Sequence, residues 1–418
     1  GGLPLPHFVG GRNARRWVVL ALGRRMPKIF RLPRPGILFP RHHNQLYELG
    51  PKGDRRVPST TSAAFAISSQ GMWEIDGGQK SGSGTLVRTA VALAALLGEP
   101  LHIRNIRAKR DNPGLRPQHL RAVEAAAALT NAALSGAHVG SSTLTFSPKT
   151  AAEGGEFFWD IGTAGSTTML ALTVLPLAAF AKRPSVFRIR GGLFQDFAPS
   201  AFHTKEVLLS ALREMGIRAE LRIIRPGYVP KGAGEIELRV EPAAGPLSPL
   251  RRETLAKPLR FWGISLASHL RERRVAERMA QTCQEALSRR GVRAEFTILN
   301  DESAVQPGAA LALFAEDQRG ARLGADQAGA PGRPAEKIAE FVAQCLFEDL
   351  ESGATVDRHL ADQLILYAAL AQGESVYVIP SFTDHVEANL WLVETVLGVR
   401  WELQGKILRI QGIGYVRS

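Results

Sequence analysis

From Trp73 onward the chain alternates between short apolar runs and longer Ala/Leu-rich segments. Residues 73–76, 101–106, 143–147 and 186–190 have the length and β-branched character of strands. Residues 86–97, 118–133, 167–180, 203–215 and 356–371 repeat apolar positions at helical spacing. Gly-rich turns at 77–84, 162–166, 191–199 and 227–234 separate them. The rhythm strand, Gly-rich turn, helix, strand therefore recurs, and it predicts repeated βα units with helices covering one side of the sheets.

Between residues 252 and 347 the pattern changes. Arg271-Glu272-Arg273-Arg274-Val275 leads into a helix ending near Arg290. Strands at 293–299 and 309–315 follow, then a Gly-rich loop at 320–332, and a helix starting near Ala335. This is the size and pattern of a small inserted α/β domain, with 72–251 and 348–418 forming the large one. Residues 1–71 differ from both. They mix basic pairs with Pro, Gly and a Ser/Thr tract, and are expected to be a poorly ordered basic extension, with Met72 standing just before the first regular strand.

Charge redraws that picture in one respect. The net charge is +13, but residues 1–71 hold 12 Lys or Arg against Glu48 and Asp54, leaving 40 bases against 37 acids in the rest. The body is nearly neutral, so any phosphate site in it must be local. The chain has two distant cysteines, Cys283 and Cys345, which form neither a disulfide framework nor a zinc motif and suit a reducing cytoplasm. No apolar run is long enough to span a membrane.

The densest local charge is 103–120, IRNIRAKRDNPGLRPQHL. It sets Arg104, Arg107, Lys109, Arg110 and Arg116 against Asp111 and turns at Asn112-Pro113-Gly114, where Pro fixes φ and Gly tolerates positive φ. A strand, a cationic loop and a helix from about Pro117 are expected. Guanidinium groups on such a loop can grip phosphate with two parallel bonds, although a solvated basic loop carries the same charges.

Residues 77–88, GGQKSGSGTLVR, carry Gly82 and Gly84 from a strand into a helix. Backbone N–H groups there suit an anion, and Arg88 one turn in reaches the same place, yet a plain structural turn reads identically. A second turn, IGTAGSTT at 161–168, supplies hydroxyls suited to helix capping. In VYVIPSFTDHVEANL, 376–390, a strand breaks at Pro380 and a helix begins near Asp384. His385 then stands where a positive helix end disfavours imidazolium, which suits attack by a ring nitrogen on phosphorus, although a structural or exposed His near a cap reads the same. Asp362 and Gln363 lie at the polar edge of a helix whose Leu360, Leu364 and Ala368 face inward. No catalytic-triad spacing, zinc pattern or kinase signature is present.

The motif R-A-x-R-x-x-P-G-L-R-P-Q-H-L, beginning at Arg107, resembles the RNA 3′-terminal phosphate cyclase family. So do Ile75-Asp76-Gly77, Gly162-Thr163-Ala164-Gly165-Ser166, Ala198-Pro199, GYVPKGAG from Gly227, HLADQL from His359 and IQGIG from Ile410, all in order from Met72 to the C-terminus. The resemblance implies a large domain of three similar βα units with a small inserted domain. It implies ATP-dependent conversion of an RNA 3′-phosphate to a 2′,3′-cyclic phosphate with Mg²⁺ or Mn²⁺, His385 being the residue adenylated. Arg88, Pro199, Gly82, Gly84, Asp362 and Gln363 map to the ATP site, and Arg107, Arg110 and His119 to the RNA phosphate.

Three departures stand out. The family's first loop carries a metal-binding Glu where this chain has Ser81 beside Lys80. Leu172 replaces a Gln of some members, and no aromatic lies near Ala321. The alternative is a weakened or inactive relative that binds RNA or ribonucleoprotein. Enolpyruvyl transfer, a third possibility, rests on architecture alone.

Overall fold

The computed structural model describes residues 54–55, 65–69 and 71–417. The expectation for residues 1–71 therefore lies largely outside the described residues. What is described there is two short strands, β1 (Asp54–Arg55) and β2 (Phe65–Ile67). Sheet structure thus begins before Met72.

A six-element pattern, strand–helix–strand–helix–strand–strand, then occurs three times. The first unit runs β3 (Trp73–Asp76), α1 (Gly84–Leu97), β4 (Leu101–Arg104), α2 (Pro117–Thr130), β5 (Ala133–Ser135) and β6 (Leu144–Ser147). The second runs β7 (Gly155–Asp160), α3 (Thr167–Ala179), β8 (Ser185–Gly191), the helical run 201–214 (α4), β9 (Arg218–Arg225) and β10 (Gly234–Glu241). The third opens with β11 (Arg251–Arg252) and is interrupted at once.

The interruption builds a separate four-stranded sheet from β12 (Arg260–Ser268), α5 (Val275–Ser288), β13 (Ala294–Asp301), β14 (Gly308–Glu316), β15 (Arg322–Ala328) and α6 (Ala335–Glu351). The third unit then resumes with α7 (Leu360–Leu370), β16 (Gln372–Val378), α8 (Asp384–Leu397), β17 (Arg400–Gln404) and β18 (Ile407–Ile413).

Strand order makes the repeat explicit. The three sheets run β3-β4-β6-β5, β7-β8-β10-β9 and β11-β16-β18-β17. In each, the first pair is parallel and the remaining two are antiparallel. β2 extends the first sheet alongside β3, and β1 extends the third alongside β17. The fold is thus mixed α/β with three repeated units, as the sequence rhythm and the resemblance predict.

The helices of the units pack on one another: α1, α2 and α3 in pairs, and α8 on both α1 and α7. α3 is apolar on nearly every side, and almost all of its side chains are buried, which is the signature of a helix with no solvent face. Burying each such Leu or Val contributes on the order of 1.5–3 kcal/mol. Among the described residues no helix is long and apolar enough to cross a membrane.

One expectation is corrected. Residues 320–332 read as a Gly-rich loop, but Arg322–Ala328 is β15, paired antiparallel along β14. Gly324 is there for packing. A Cβ on it would come within 2.9 Å of both the Phe314 ring and Val207. β14 itself is buried on both faces because α5 and α6 cover one side and the helical run 201–214 lies against the other.

One buried carboxylate joins these layers. Asp357 Oδ1 accepts from the backbone N–H groups of His359 (2.9 Å) and Leu360 (2.8 Å), opening α7. Its Oδ2 accepts from Gly324 N–H in β15 (2.8 Å) and lies 2.9 Å from Nε2 of His203 in α4. Asp357 and His203 are both fully buried. Burial works against charge on His203, but Asp357, with Asp326 and Asp349 behind it, raises its pKa above the ordinary imidazole value. The Asp357 carboxyl is held well below its usual range: His203 and the backbone donors outweigh the cost of burial.

A raised folded-state pKa means that the His203 contribution is complete below about pH 6.5 and lost as pH rises through the folded value. His203→Gln is expected to cost about 3 kcal/mol near pH 6, as breaking a buried pair does. Urea unfolding of both proteins should show the gap narrowing as pH rises into the alkaline range.

Candidate active site

The site forms where α1 and α8 begin side by side. Ser83 caps α1, its Oγ accepting from Thr85 N–H at 3.3 Å, and Thr383 caps α8, accepting from Val386 N–H at 3.2 Å. Two rungs join the helices one turn apart: Thr85 Oγ1 to His385 Nδ1 at 3.2 Å, and Thr89 Oγ1 to Asn389 Oδ1 at 3.0 Å. Equal spacing along both chains makes the helices run in the same direction there. Their positive ends therefore add, and an anion is favoured beside them.

A cavity of about 60 Å³ opens at this seam, lined by Thr85, Arg88, Thr89, Leu172, Asp362, Gln363, Tyr367 and Asn389 among others. Arg88, Asp362 and Gln363 are thus brought together, with the exposed His385 one hydrogen bond away through Thr85. Arg88 Nη2 donates to the same Thr85 hydroxyl at 3.4 Å. Burial lowers the Arg88 pKa to about 10, with Asp362 partly offsetting it. Burial likewise raises Asp362 to about 7, with Arg88 partly offsetting. Asn389 Nδ2 donates to the Asp362 backbone carbonyl at 3.2 Å, so α7 and α8 hold this carboxyl in place. Gln363 Oε1 and Tyr367 Oη are buried without a hydrogen-bond partner among the described residues, as groups awaiting a polar ligand or water would be.

The basic stretch meets this seam through His119. Its ring lies so close to Gly84 that a Cβ there would sit 2.1 Å from Nε2, which explains the glycine at the start of α1. Arg116 N–H donates to Nδ1 at 3.2 Å, so in the neutral ring the proton sits on Nε2. His119 is buried, and burial followed by the cations Arg88, Arg107 and Arg116 lowers its pKa well below the ordinary value. It is a neutral donor next to the Gly-rich loop.

Arg107 departs from the picture of a free phosphate grip. Its Nη1 donates to the carbonyls of Asn112 (2.5 Å) and Gly114 (3.0 Å), so it shapes its own loop. Burial lowers its pKa, with Arg116 and Arg110 adding to the effect. Arg110 is half-buried in that loop. Gly82 has φ +51°, and its face is closed by the Lys109 side chain. Pro199 is buried outside the cavity lining. Its carbonyl accepts from Thr168 Oγ1 at 2.8 Å, on the first turn of α3.

Ser81 and Lys80 are both engaged. Ser81 is buried, with its Oγ 2.8 Å from Ser83 Oγ, so it supports the α1 cap. Lys80 Nζ lies 3.3 Å from Glu387 Oε1 on the first turn of α8, and so ties loop to helix. Among the described residues no group of three or more His, Cys, Asp or Glu side chains converges as a metal site would need. With hydroxyls at Ser81 and Ser83 and a carboxyl of raised pKa at Asp362, the donor set does not fit a hard divalent ion held by protein alone. Sequence reading missed Thr85, Thr89, Tyr367 and Asn389. Helical spacing put them on the inward faces of α1, α7 and α8, where they are indistinguishable from core.

Two outcomes test this geometry. Because Asp362 keeps its proton to a higher pH folded than unfolded, stability is expected to fall as pH rises from about 4 to about 7. Asp362→Asn should abolish that slope, and carboxyl-carbon NMR should show a midpoint of about 7. Gly84→Ala forces a methyl onto the His119 ring and should destabilise the protein by about 1–3 kcal/mol in urea unfolding.

Comparison with known proteins places the chain. The RNA 3′-terminal phosphate cyclase family profile matches residues 79–403. The RNA 3′-terminal phosphate cyclase of Pyrobaculum neutrophilum is 39% identical over 345 residues, 82% of this chain and 99% of that protein. That of Pyrococcus abyssi is 41% identical over 340 residues, covering 80% and 96%. The solved enolpyruvyl transferase NikO from Streptomyces tendae overlaps 41% of this chain and 33% of that one at 20% identity and a TM-score of 0.23, too low to bear on the argument. Similarity across four fifths of the chain and nearly the full length of these relatives establishes that this protein belongs to the RNA 3′-terminal phosphate cyclase family.

Proposed function

We propose that the protein converts the 3′-terminal phosphate of RNA into a 2′,3′-cyclic phosphodiester at the expense of ATP, with His385 carrying AMP between the two substrates. The observation that carries this reading is the convergence of Arg88, Asp362, Gln363 and His385 at two adjacent helix N-termini. The names of the relatives supply the reaction class.

In this reading Arg88 and the first-turn N–H groups of α1 and α8 hold the triphosphate. Asp362 and Gln363 take hydroxyl or base edges of the nucleoside, and the unpartnered Gln363 Oε1 and Tyr367 Oη gain partners. A ring nitrogen of His385 attacks the α-phosphorus, and the bond to the β-phosphate oxygen breaks as pyrophosphate leaves. The RNA 3′-phosphate then attacks the His385-bound phosphorus and takes AMP. The neighbouring 2′-OH attacks the activated 3′-phosphate, loses its proton and expels AMP. Arg110 and Arg116 neutralise the RNA end, Arg107 shapes the loop that presents them, and His119 donates from Nε2. Positioning and charge neutralisation dominate, as in other phosphoryl transfers. No step is routed through a divalent ion. Mg²⁺ or Mn²⁺ would enter with the phosphates of ATP, and Ser81 supplies no carboxylate to it.

The test is incubation with α-labelled ATP and Mg²⁺ or Mn²⁺ without RNA, followed by a denaturing gel. Acid-labile label on the wild-type chain and none on His385→Ala is the expected result. Ser81→Glu should sharpen the dependence on the divalent ion. Absence of label from folded wild-type protein with either metal would overturn the nucleotidyl-transfer reading. Retained RNA affinity in that case would favour the second reading, an RNA-binding relative, which the replacement at Ser81 supports.

A further inference from the structure

Resting on the reading of 77–84 as the nucleotide loop and of 104–116 as the site of the RNA end, we propose that Lys109 is a further phosphate-binding residue. Its ammonium, at the junction of the two loops, holds the RNA 3′-phosphate against the Gly-rich loop. In the motif R-A-x-R, Lys109 is the position x, to which the resemblance gives no role.

Two side chains of the basic stretch lie along the Gly-rich loop. Lys109 covers Gly82, where an added Cβ would come within 3.0–3.2 Å of the lysine's Cβ, Cγ and Cδ. His119 covers Gly84, two residues on. With its stem laid against Gly82, Lys109 keeps its charged end at the surface, and Nζ donates to the Lys80 carbonyl at 3.2 Å. That carbonyl belongs to the tight turn closed by Gly82 N–H on the Gln79 carbonyl at 2.8 Å. Lys80 in turn sends its own side chain to Glu387 on the first turn of α8. Lys109 therefore ties the cationic loop to the place where α1 and α8 begin.

An ammonium carries three donors, and among the described residues Lys109 gives one of them to the protein. Arg107, two residues earlier, instead turns Nη1 onto the carbonyls of its own loop. The position of Lys109 bears on the second transfer. There an oxygen of the RNA 3′-phosphate bonds to the phosphorus of AMP, while the bond from that phosphorus to His385 breaks and its electron pair returns to the ring nitrogen. Both reactants carry negative charge, and each repels the other as they close. A cation that bridges the two loops lowers that repulsion for both groups at once. A compact ammonium with rotatable donors also imposes no plane on the phosphate, unlike a guanidinium. The first transfer involves ATP alone and depends on Lys109 less.

The experiment uses the full chain with an RNA oligonucleotide ending in a 3′-phosphate, and the same oligonucleotide ending in a 3′-OH for comparison. Lys109→Met keeps a stem over Gly82 and removes the charge, whereas Lys109→Arg keeps a charge. Protein loaded from α-labelled ATP is freed of nucleotide and mixed with the 3′-phosphate RNA, and loss of label from the protein is followed. Lys109→Met should slow that loss roughly tenfold or more beyond any change in the loading rate, and Lys109→Arg should stay within about threefold of wild type. Lys109→Met should also cut the preference in affinity for the 3′-phosphate over the 3′-OH end by about fivefold or more. Equal effects on loading and on passage to RNA, as a merely structural residue would give, overturn the proposal. So does a wild-type chain without preference for the phosphate end, or a preference that survives Lys109→Met. If the wild-type chain takes no label, the nucleotidyl-transfer reading fails on its own, and the two affinities still decide whether Lys109 holds the RNA end.

Discussion

Asp357 is the constraint on which the rest of the site depends. A carboxylate taken fully out of water is costly unless nearly every lone pair finds a donor. This one receives two N–H groups that open α7, one from β15, and the His203 ring from α4. The four donors come from three layers: the third repeat, the interrupting sheet and the second repeat. None can shift without leaving charge unpaired, so the start of α7 is pinned. Asp362 and Gln363 follow within two turns, so the polar lining of the cavity inherits that rigidity.

A similar economy operates at the opposite wall. The first unit supplies α1 with Thr85, Arg88 and Thr89, and the third supplies α8 with His385 and Asn389. α1 follows the first strand of its unit and α8 the second strand of its own, and the two N-termini meet across the Thr85–His385 and Thr89–Asn389 bonds. A repeat that packs helices together thereby creates a place where backbone N–H groups and helix dipoles point at one volume. The second unit contributes α3, whose role here is bulk: it is buried on nearly all sides and gives the cavity Leu172.

The titratable groups around this volume are moved by burial before anything else. Arg88 is lowered to about 10 and Asp362 raised to about 7 for the same reason, so their mutual attraction offsets only part of the cost of leaving water. His119 is kept neutral by burial and by the cations around it. A ligand carrying negative charge would repay Arg88 and relieve the crowding of Arg107, Arg110 and Arg116. The replacement of the family's loop carboxylate by Ser81 belongs to this balance, since it leaves the pocket more positive and spends its hydroxyl on the α1 cap through Ser83.

The sequence by itself determined the alternation of strands and helices, the interruption after β11 and the glycines of the tight turns. Each depends on local periodicity or on a backbone angle, and both are written residue by residue. Arg88, Asp362, Gln363 and His385 stood out only through the resemblance of the motifs around them, since their residue types alone suit structural roles equally well. Tertiary structure alone decided which of them meet. The Thr85–His385 contact spans 300 residues, and no spacing rule reaches that far. It decided too that Arg107 braces its own loop, that Lys80 pairs with Glu387, and that 322–328 is a strand whose Gly324 makes room for Phe314. In all three cases the residue type was compatible with either outcome, and the neighbour brought by folding made the choice.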